Sequence, residues 1–200
     1  MSDWQQQLAR DLQRAPHDRH HPWRTPVLST VDAHGQAQAR TVVLRAVADD
    51  ARTMHIYTDR RSPKVREIEA EGRVCLVLWN PRSSLQLRVS AQAHVLTQGP
   101  DVEAAWARMA QSPSRADYLS ALAPGAPVGA RSDPCPGPDA DPDPDPDPVK
   151  DHLDECHHLA VIVCRARAWD ALSLSREGHR RAVWRFDGAE PGAAGQWLTP

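Results

Sequence analysis

No stretch of this 200-residue sequence is apolar for long enough to cross a bilayer, which takes about 20 residues in a helix. The opening residues Met1-Ser2-Asp3-Trp4-Gln5-Gln6-Gln7 lack the basic start and apolar stretch of a secretion signal. Together these absences lead us to expect a cytoplasmic protein with no membrane partner. Three catalytic signatures are also missing: a G-x-S-x-G elbow, a zinc signature and a phosphate-cradling P-loop. The four cysteines (Cys75, Cys135, Cys156, Cys164) include no CxxC pair, and Cys75 and Cys164 sit in apolar runs, where a thiol behaves as a small buried hydrophobe. Net charge is small as well, at 26 acidic against 24 basic residues. Six of the acidic ones (Asp133, Asp139, Asp141, Asp143, Asp145, Asp147) fall in one stretch without a basic residue; outside it, basic residues are in excess by four. That excess suits a phosphorylated ligand and is too small for a nucleic-acid partner.

What is present suits a single domain spanning 1–200, with 40% hydrophobic and 25% charged residues. Trp4, Leu8 and Leu12 recur every four residues and predict an amphipathic helix over 3–14. His17, His20 and His21 lie in a polar loop without acids or thiols beside them, so we expect no metal there. From residue 26 the period changes. A hairpin is predicted from 27–31 and 40–45 around Asp32-Ala33-His34-Gly35, with a third strand at 54–58. Ser62 and Pro63 open a helix that Gly72 stops. Strands at 74–79 and 85–96 follow, the second strictly alternating, then helices at 101–111 and 114–122. The Asp/Pro-rich residues at about 126–151 can form neither helix nor inner strand and are expected to be a disordered insertion. Further strands are predicted at 158–164, 169–174, 182–186 and 196–198. Antiparallel strands broken by two or three helices argue for a β-barrel with attached helices rather than a parallel α/β sheet.

Three stretches carry chemistry. Arg40-Thr41-Val42-Val43-Leu44-Arg45 puts two arginines on a strand otherwise fit for burial. Tyr57-Thr58-Asp59-Arg60-Arg61-Ser62-Pro63-Lys64 ends a strand and opens a helix, whose first amides and partial positive charge favour a phosphate. Gln86-Leu87-Arg88-Val89 alternates polar and core positions on the longest strand. Taken singly, the first reads equally well as arginines paired with acids at a barrel rim, the second as an ordinary helix start, and the third as a solvent face.

Taken in order, these stretches resemble the FMN-binding core of pyridoxamine 5'-phosphate oxidase and its relatives. That family has an R-x-V-x-L-K/R strand, a Y/F-T-x-x-x-S-x-K turn and a strand with R/E-Q-x-R/M-V. Gly178-His179-Arg180-Arg181 and the closing Trp197-Leu198-Thr199-Pro200 are similar to its H-R motif and its R-L-x-P ending. The resemblance implies a mainly β (α+β) fold, an antiparallel six-stranded split β-barrel with flanking helices, and a homodimer with FMN at its interface. It implies that Arg40, Ser62 and Lys64 hold the FMN phosphate, and that Thr41, Val42, Val43, Leu44, Arg45, Tyr57 and Thr58 line the flavin. Gln86 would reach it across the interface, while Arg45 and Arg180 would meet a small-molecule substrate.

The departures are specific. Pro63 stands where the oxidase has a basic residue that helps bind phosphate. The C-terminal flavin-contacting tryptophan aligns near Leu174, and the C-terminal arginine near Trp184 or Arg185. The oxidase's middle substrate segment corresponds only loosely to Ser114-Arg115-Ala116-Asp117-Tyr118. The expectation is an FMN-dependent oxidoreductase, with two alternatives: another FMN-dependent reductase of the same fold, such as a flavin reductase, or a non-enzymatic carrier of FMN or haem. No metal is expected, although Cys156-His157-His158 offers two ligands on one face of a strand.

Overall fold

The computed structural model describes residues 1–127, 156–186 and 195–200. The expected insertion at about 126–151 lies, from residue 128 onward, outside the described residues. In chain order the elements are α1 (Ser2–Arg14), β1 (Val27–Val31), β2 (Ala37–Thr41), β3 (Leu44–Val47), β4 (Thr53–Asp59), α2 (Pro63–Ala70), β5 (Arg73–Asn80) and β6 (Leu85–Leu96). There follow α3 (Pro100–Ala110), β7 (Leu159–Ser173), β8 (Arg180–Arg185) and β9 (Gln196–Leu198). The described residues also include two short 3-10 helices, Pro22–Arg24 and Pro113–Tyr118. Among the described residues no helix is long and apolar enough to cross a membrane. The chain divides into two compact units, one of Met1–Ile56, Glu67–His94 and Val163–Pro200, the other of Tyr57–Arg66 and Val95–Ile162.

The sheet runs β2-β1-β5-β6-β7-β4-β3, with β8 on β7 and β9 on β8. The pairs β1·β2, β1·β5, β3·β4, β5·β6, β7·β8 and β8·β9 are antiparallel. The expected strand over 40–45 is corrected here: it breaks at Val42-Val43, where the Val42 amide donates to the Pro26 carbonyl at 3.0 Å. Thr41 ends β2 at one end of the hydrogen-bonded path and Leu44 begins β3 at the other. Three residue steps cover at most about 11 Å, so the sheet has to curl until its two ends nearly meet. A ladder never forms between β2 and β3, so the barrel is split there. The antiparallel split barrel is thus the fold found, with nine strands among the described residues where six were expected; seven lie on the path, and β8 and β9 extend it.

In the first unit the period-two pattern of β6 packs Leu85, Leu87, Val89, Ala91 and Ala93 inward. Leu28 on β1, Leu44 on β3, Met54 and Ile56 on β4, and Leu76 and Leu78 on β5 join that core. α1 contributes the fully buried Leu8 and Leu12, and carries Asp3 in its first turn and Arg14 in its last, as the helix dipole favours. In the second unit α3 buries Val102, Ala105, Trp106 and Met109, the face read from the sequence, and Trp106 stacks on His157 at 4.2 Å.

Two further expectations change. The helix expected at 114–122 is the 3-10 helix Pro113–Tyr118; it stops where the Tyr118 carbonyl accepts from the His158 amide at 2.8 Å. The strands expected at 158–164 and 169–174 are one strand, β7. Between the two expected spans Arg165 and Arg167 are exposed while Ala166 is buried, so the chain stays in strand geometry across them.

Gly72 turns the chain from α2 into β5, and its carbonyl accepts from the Ala93 amide at 2.7 Å. A Cβ at this position would lie 2.8 Å from the Ala93 carbonyl oxygen and against the Gln92 side chain. We expect Gly72→Ala to lower unfolding stability by about 1–3 kcal/mol in urea titration. An unchanged midpoint would show that the end of β6 yields freely.

Candidate functional site

In the second unit β4 ends in a turn built by charge. The Asp59 carboxylate, 5% exposed, accepts from the Arg61 amide at 2.8 Å and pairs with the Arg61 guanidinium at 2.7 Å. The same guanidinium donates to the carbonyls of Ser120 at 2.7 Å and Leu122 at 3.3 Å. This brings Ser62 to the start of α2, with Pro63 in the first helical position, where its fixed φ and missing N–H cost nothing.

The consequence is a compact polar cluster. Lys64 Nζ donates to Ser62 Oγ at 2.5 Å and to Thr58 Oγ1 at 3.1 Å. Both hydroxyls are buried, Thr58 at 6% and Ser62 at 3% exposure. An ammonium has only protons to offer, so each hydroxyl spends an oxygen lone pair on it and turns its own proton elsewhere. Among the described residues neither hydroxyl donates to a protein acceptor. One cation and two unspent O–H donors at a helix start form a donor set that fits an anion such as a phosphate. Tyr57 points to the other face of β4 and is half-buried.

The remaining expected residues lie in the first unit. Arg40, on β2, donates through Nη2 to Glu67 Oε2 at 2.9 Å and through Nη1 to Thr30 Oγ1. Thr30 in turn donates to Glu67 Oε2 at 2.5 Å. Thr41 is exposed, Val42 and Leu44 are buried, and Val43 and Arg45 are half-buried. Gln86 lines a small cavity of about 160 Å³ with Arg88, Asp170, Leu172 and Arg181. There Asp170 pairs with Arg181 at 2.8 Å and also with Arg88. Burial pushes the Asp170 carboxyl up, but hydrogen bonds from Arg181 and Arg88 outweigh it and leave the group below the usual carboxylate range. The Arg180 guanidinium lies over the rings of Trp4 and Trp197, 5.3 and 5.0 Å from their centroids.

Of the expected set, the structure therefore brings together Thr58, Ser62 and Lys64, and gives Arg40, Gln86 and Arg180 separate neighbourhoods in the first unit. Sequence reasoning missed Thr30, Glu67, Asp59, Asp170 and Arg181. Thr30 had a signal, being a polar residue on the inward face of β1 beside Leu28. Burial favours the protonated form of both thiols, pushing Cys75 up and Cys164 up to about 12. Among the described residues no three His, Cys, Asp or Glu gather in a group able to hold a metal ion.

These features define a split-barrel protein with a cationic, hydroxyl-lined helix start. Residues 1–97 match the family model described as pyridoxamine 5'-phosphate oxidase, FMN-binding domain. The chain is 32% identical over 127 residues to a pyridoxine/pyridoxamine 5'-phosphate oxidase of Anaeromyxobacter dehalogenans (strain 2CP-C), covering 63% of this chain and 59% of that one. It is 36% identical over 80 residues to the protein of the same name from Roseobacter denitrificans, covering 40% of this chain and 37% of that one. The matches thus span less than two thirds of these relatives. Among solved structures, the fold is similar to a pyridoxamine 5'-phosphate oxidase-related, FMN-binding protein from Nostoc punctiforme PCC 73102. That likeness has a TM-score of 0.69 and 24% identity, and covers 98% of this chain and 97% of the other. PhzG from Burkholderia lata 383, solved with tetrahydrophenazine-1-carboxylic acid, shares the fold at a TM-score of 0.60 and 16% identity, over 100% of this chain and 90% of its own. The pyridoxamine 5'-phosphate oxidase FMN-binding domain is the family this chain resembles, in sequence over residues 1–97 and in fold along nearly all of its length.

The Asp170 pair yields a pH test. A carboxyl held low in the folded state stabilises above its unfolded value, about 3.8, and that stability is lost as pH falls through the folded value. Because Arg88 is 45% exposed, we expect only about 1–2 kcal/mol from the network. Asp170→Asn should unfold that much more readily at pH 7, with the gap to the parent closing below about pH 4. A gap independent of pH would show that shape rather than charge holds Asp170.

Proposed function

We propose that this chain is an FMN-binding flavoprotein and an oxidoreductase of the pyridoxamine 5'-phosphate oxidase-like type. The observation that carries the reading is Lys64 set between the buried hydroxyls of Thr58 and Ser62, whose protons remain to be donated. That donor set fits the phosphate of FMN, and the family match supplies the flavin as the ligand. A bound flavin supplies the electron chemistry, so no nucleophile or acid/base pair is required of the protein. Lys64 places positive charge at the phosphate, and the two hydroxyls orient it.

A homodimer is part of this proposal. A groove of about 550 Å³ on the first unit, lined in part by Ser29, Val31, Ala37, Cys75 and Ala91, is a surface a second copy can cover. A second reading is a reductase of the same fold with a substrate other than pyridoxamine phosphate. Arg180 favours it: a guanidinium stacked over two indoles is not turned toward a substrate phosphate.

The first test is an absorbance spectrum of the purified protein with mass analysis of whatever heat releases. Yellow protein releasing FMN supports the reading; colourless protein that takes up no added FMN overturns it. Lys64→Met should weaken FMN by about 10–100-fold, as loss of a charge-assisted hydrogen bond does, and leave riboflavin affinity unchanged. Arg40→Gln should behave differently, because it strips the counter-charge from Glu67, whose side chain is only 11% exposed. We expect a stability loss of about 2–3 kcal/mol, read as a lower Tm without ligand.

A further inference from the structure

The second unit holds another basic feature that the Lys64 cluster does not use. A cleft of about 390 Å³ is lined by Arg60, Arg61, Pro63 and Arg66 on one side and by residues 123–126 on the other. Its far wall, Ala123-Pro124-Gly125-Ala126, carries no charged side chain. Of the three guanidiniums, Arg61 is neutralised by Asp59 and held by the carbonyls of Ser120 and Leu122. Among the described residues Arg60 and Arg66 have no acidic partner. Two uncompensated guanidiniums facing a wall of small residues have the charge and the forked donors to grip a small dianion.

The cleft is not the Lys64 cluster seen from another side. Pro63 and Arg66 are three residues apart on α2 and share a face. Lys64 is two residues from Arg66, about 200° around the helix, and its ammonium is directed at Thr58 and Ser62. The helix start therefore separates two basic sites, and the proline occupies the one lined by arginines.

We infer that Arg60 and Arg66 make this cleft a phosphate-monoester subsite, separate from the one at Lys64. The inference deepens the flavin reading: with FMN's phosphate at Lys64, the cleft receives the phosphate of a second, small-molecule ligand. Phosphate monoesters share one chemistry, so the flavin's own phosphate is the other source, and the experiment separates the two.

The test titrates inorganic phosphate, FMN and riboflavin by calorimetry into the full chain at low ionic strength. It uses the parent, Arg60→Gln/Arg66→Gln and Arg60→Lys/Arg66→Lys. We expect the glutamine pair to weaken inorganic phosphate by on the order of tenfold to a hundredfold. FMN affinity should hold, and the lysine pair should retain most of the phosphate binding, which also checks folding. A glutamine pair that instead loses FMN affinity while riboflavin is unchanged would overturn the separate subsite and place the flavin phosphate in the cleft. Inorganic phosphate bound equally by parent and glutamine pair, or by neither, would overturn the subsite altogether. Failure of the flavin reading is distinct: the parent then takes up no FMN, whatever the phosphate titration shows.

Discussion

Two valines bridge the ends of a seven-strand path. Between Thr41 and Leu44 the chain has room for little more than one extended step on either side, yet the strands it joins are the first and last of the sheet. Twisted antiparallel sheets can meet this demand by curling, and the curl creates the inward face that Leu28, Leu44, Ile56, Leu76, Leu87 and Val89 fill. Because β2 and β3 do not hydrogen-bond to each other, their facing edges must be secured in other ways. The Val42 amide reaches back to Pro26, and Arg40, just before the link, is tied to Thr30 and Glu67. The arginine that the family resemblance assigns to a phosphate is thus also a structural tie at the split.

The start of α2 shows how neighbouring charges can be sorted by a few hydrogen bonds. Within Asp59-Arg60-Arg61-Ser62-Pro63-Lys64 there are three cations and one acid. Asp59 takes Arg61 out of play through both backbone and side chain. Lys64 turns inward to hydroxyls that are too buried to be solvated freely. What remains is Arg60, ahead of the helix, which lines one cleft with Arg66 of α2. A short segment in this manner holds its basic groups in two separate neighbourhoods.

Much of this was legible in the residues. Alternation in 85–96 marked β6 to the residue, and the apolar spacing of Val102, Ala105, Trp106 and Met109 marked the buried face of α3. Ser62 with Pro63 marked the start of α2. The failures share a cause: local pattern cannot see a partner distant in sequence. Val42-Val43 looks like strand because both residues favour strand; what breaks it is the need to cross from one end of the sheet to the other. The spans 158–164 and 169–174 were read as two strands, whereas Arg165 and Arg167 are exposed residues within one. Glu67 and Asp170 were invisible as ion-pair partners, because Arg40 lies 27 residues from the first and Arg88 lies 82 from the second.

Three indoles meet where α1 lies on β8 and β9. Trp4 is nearly parallel to Trp197 at 5.5 Å and edge-on to Trp184 at 5.7 Å, with Arg180 over two of the rings. Such close chromophores couple their transition dipoles, so the cluster gives the near-ultraviolet dichroism of this protein a component that reports one junction. Detachment of α1 would remove the part of that component that Trp4 contributes, while the buried Trp23, Trp106 and Trp169 keep their own signals until the fold around them is lost. Fraying of the first helix and loss of the whole fold thereby become optically separable events.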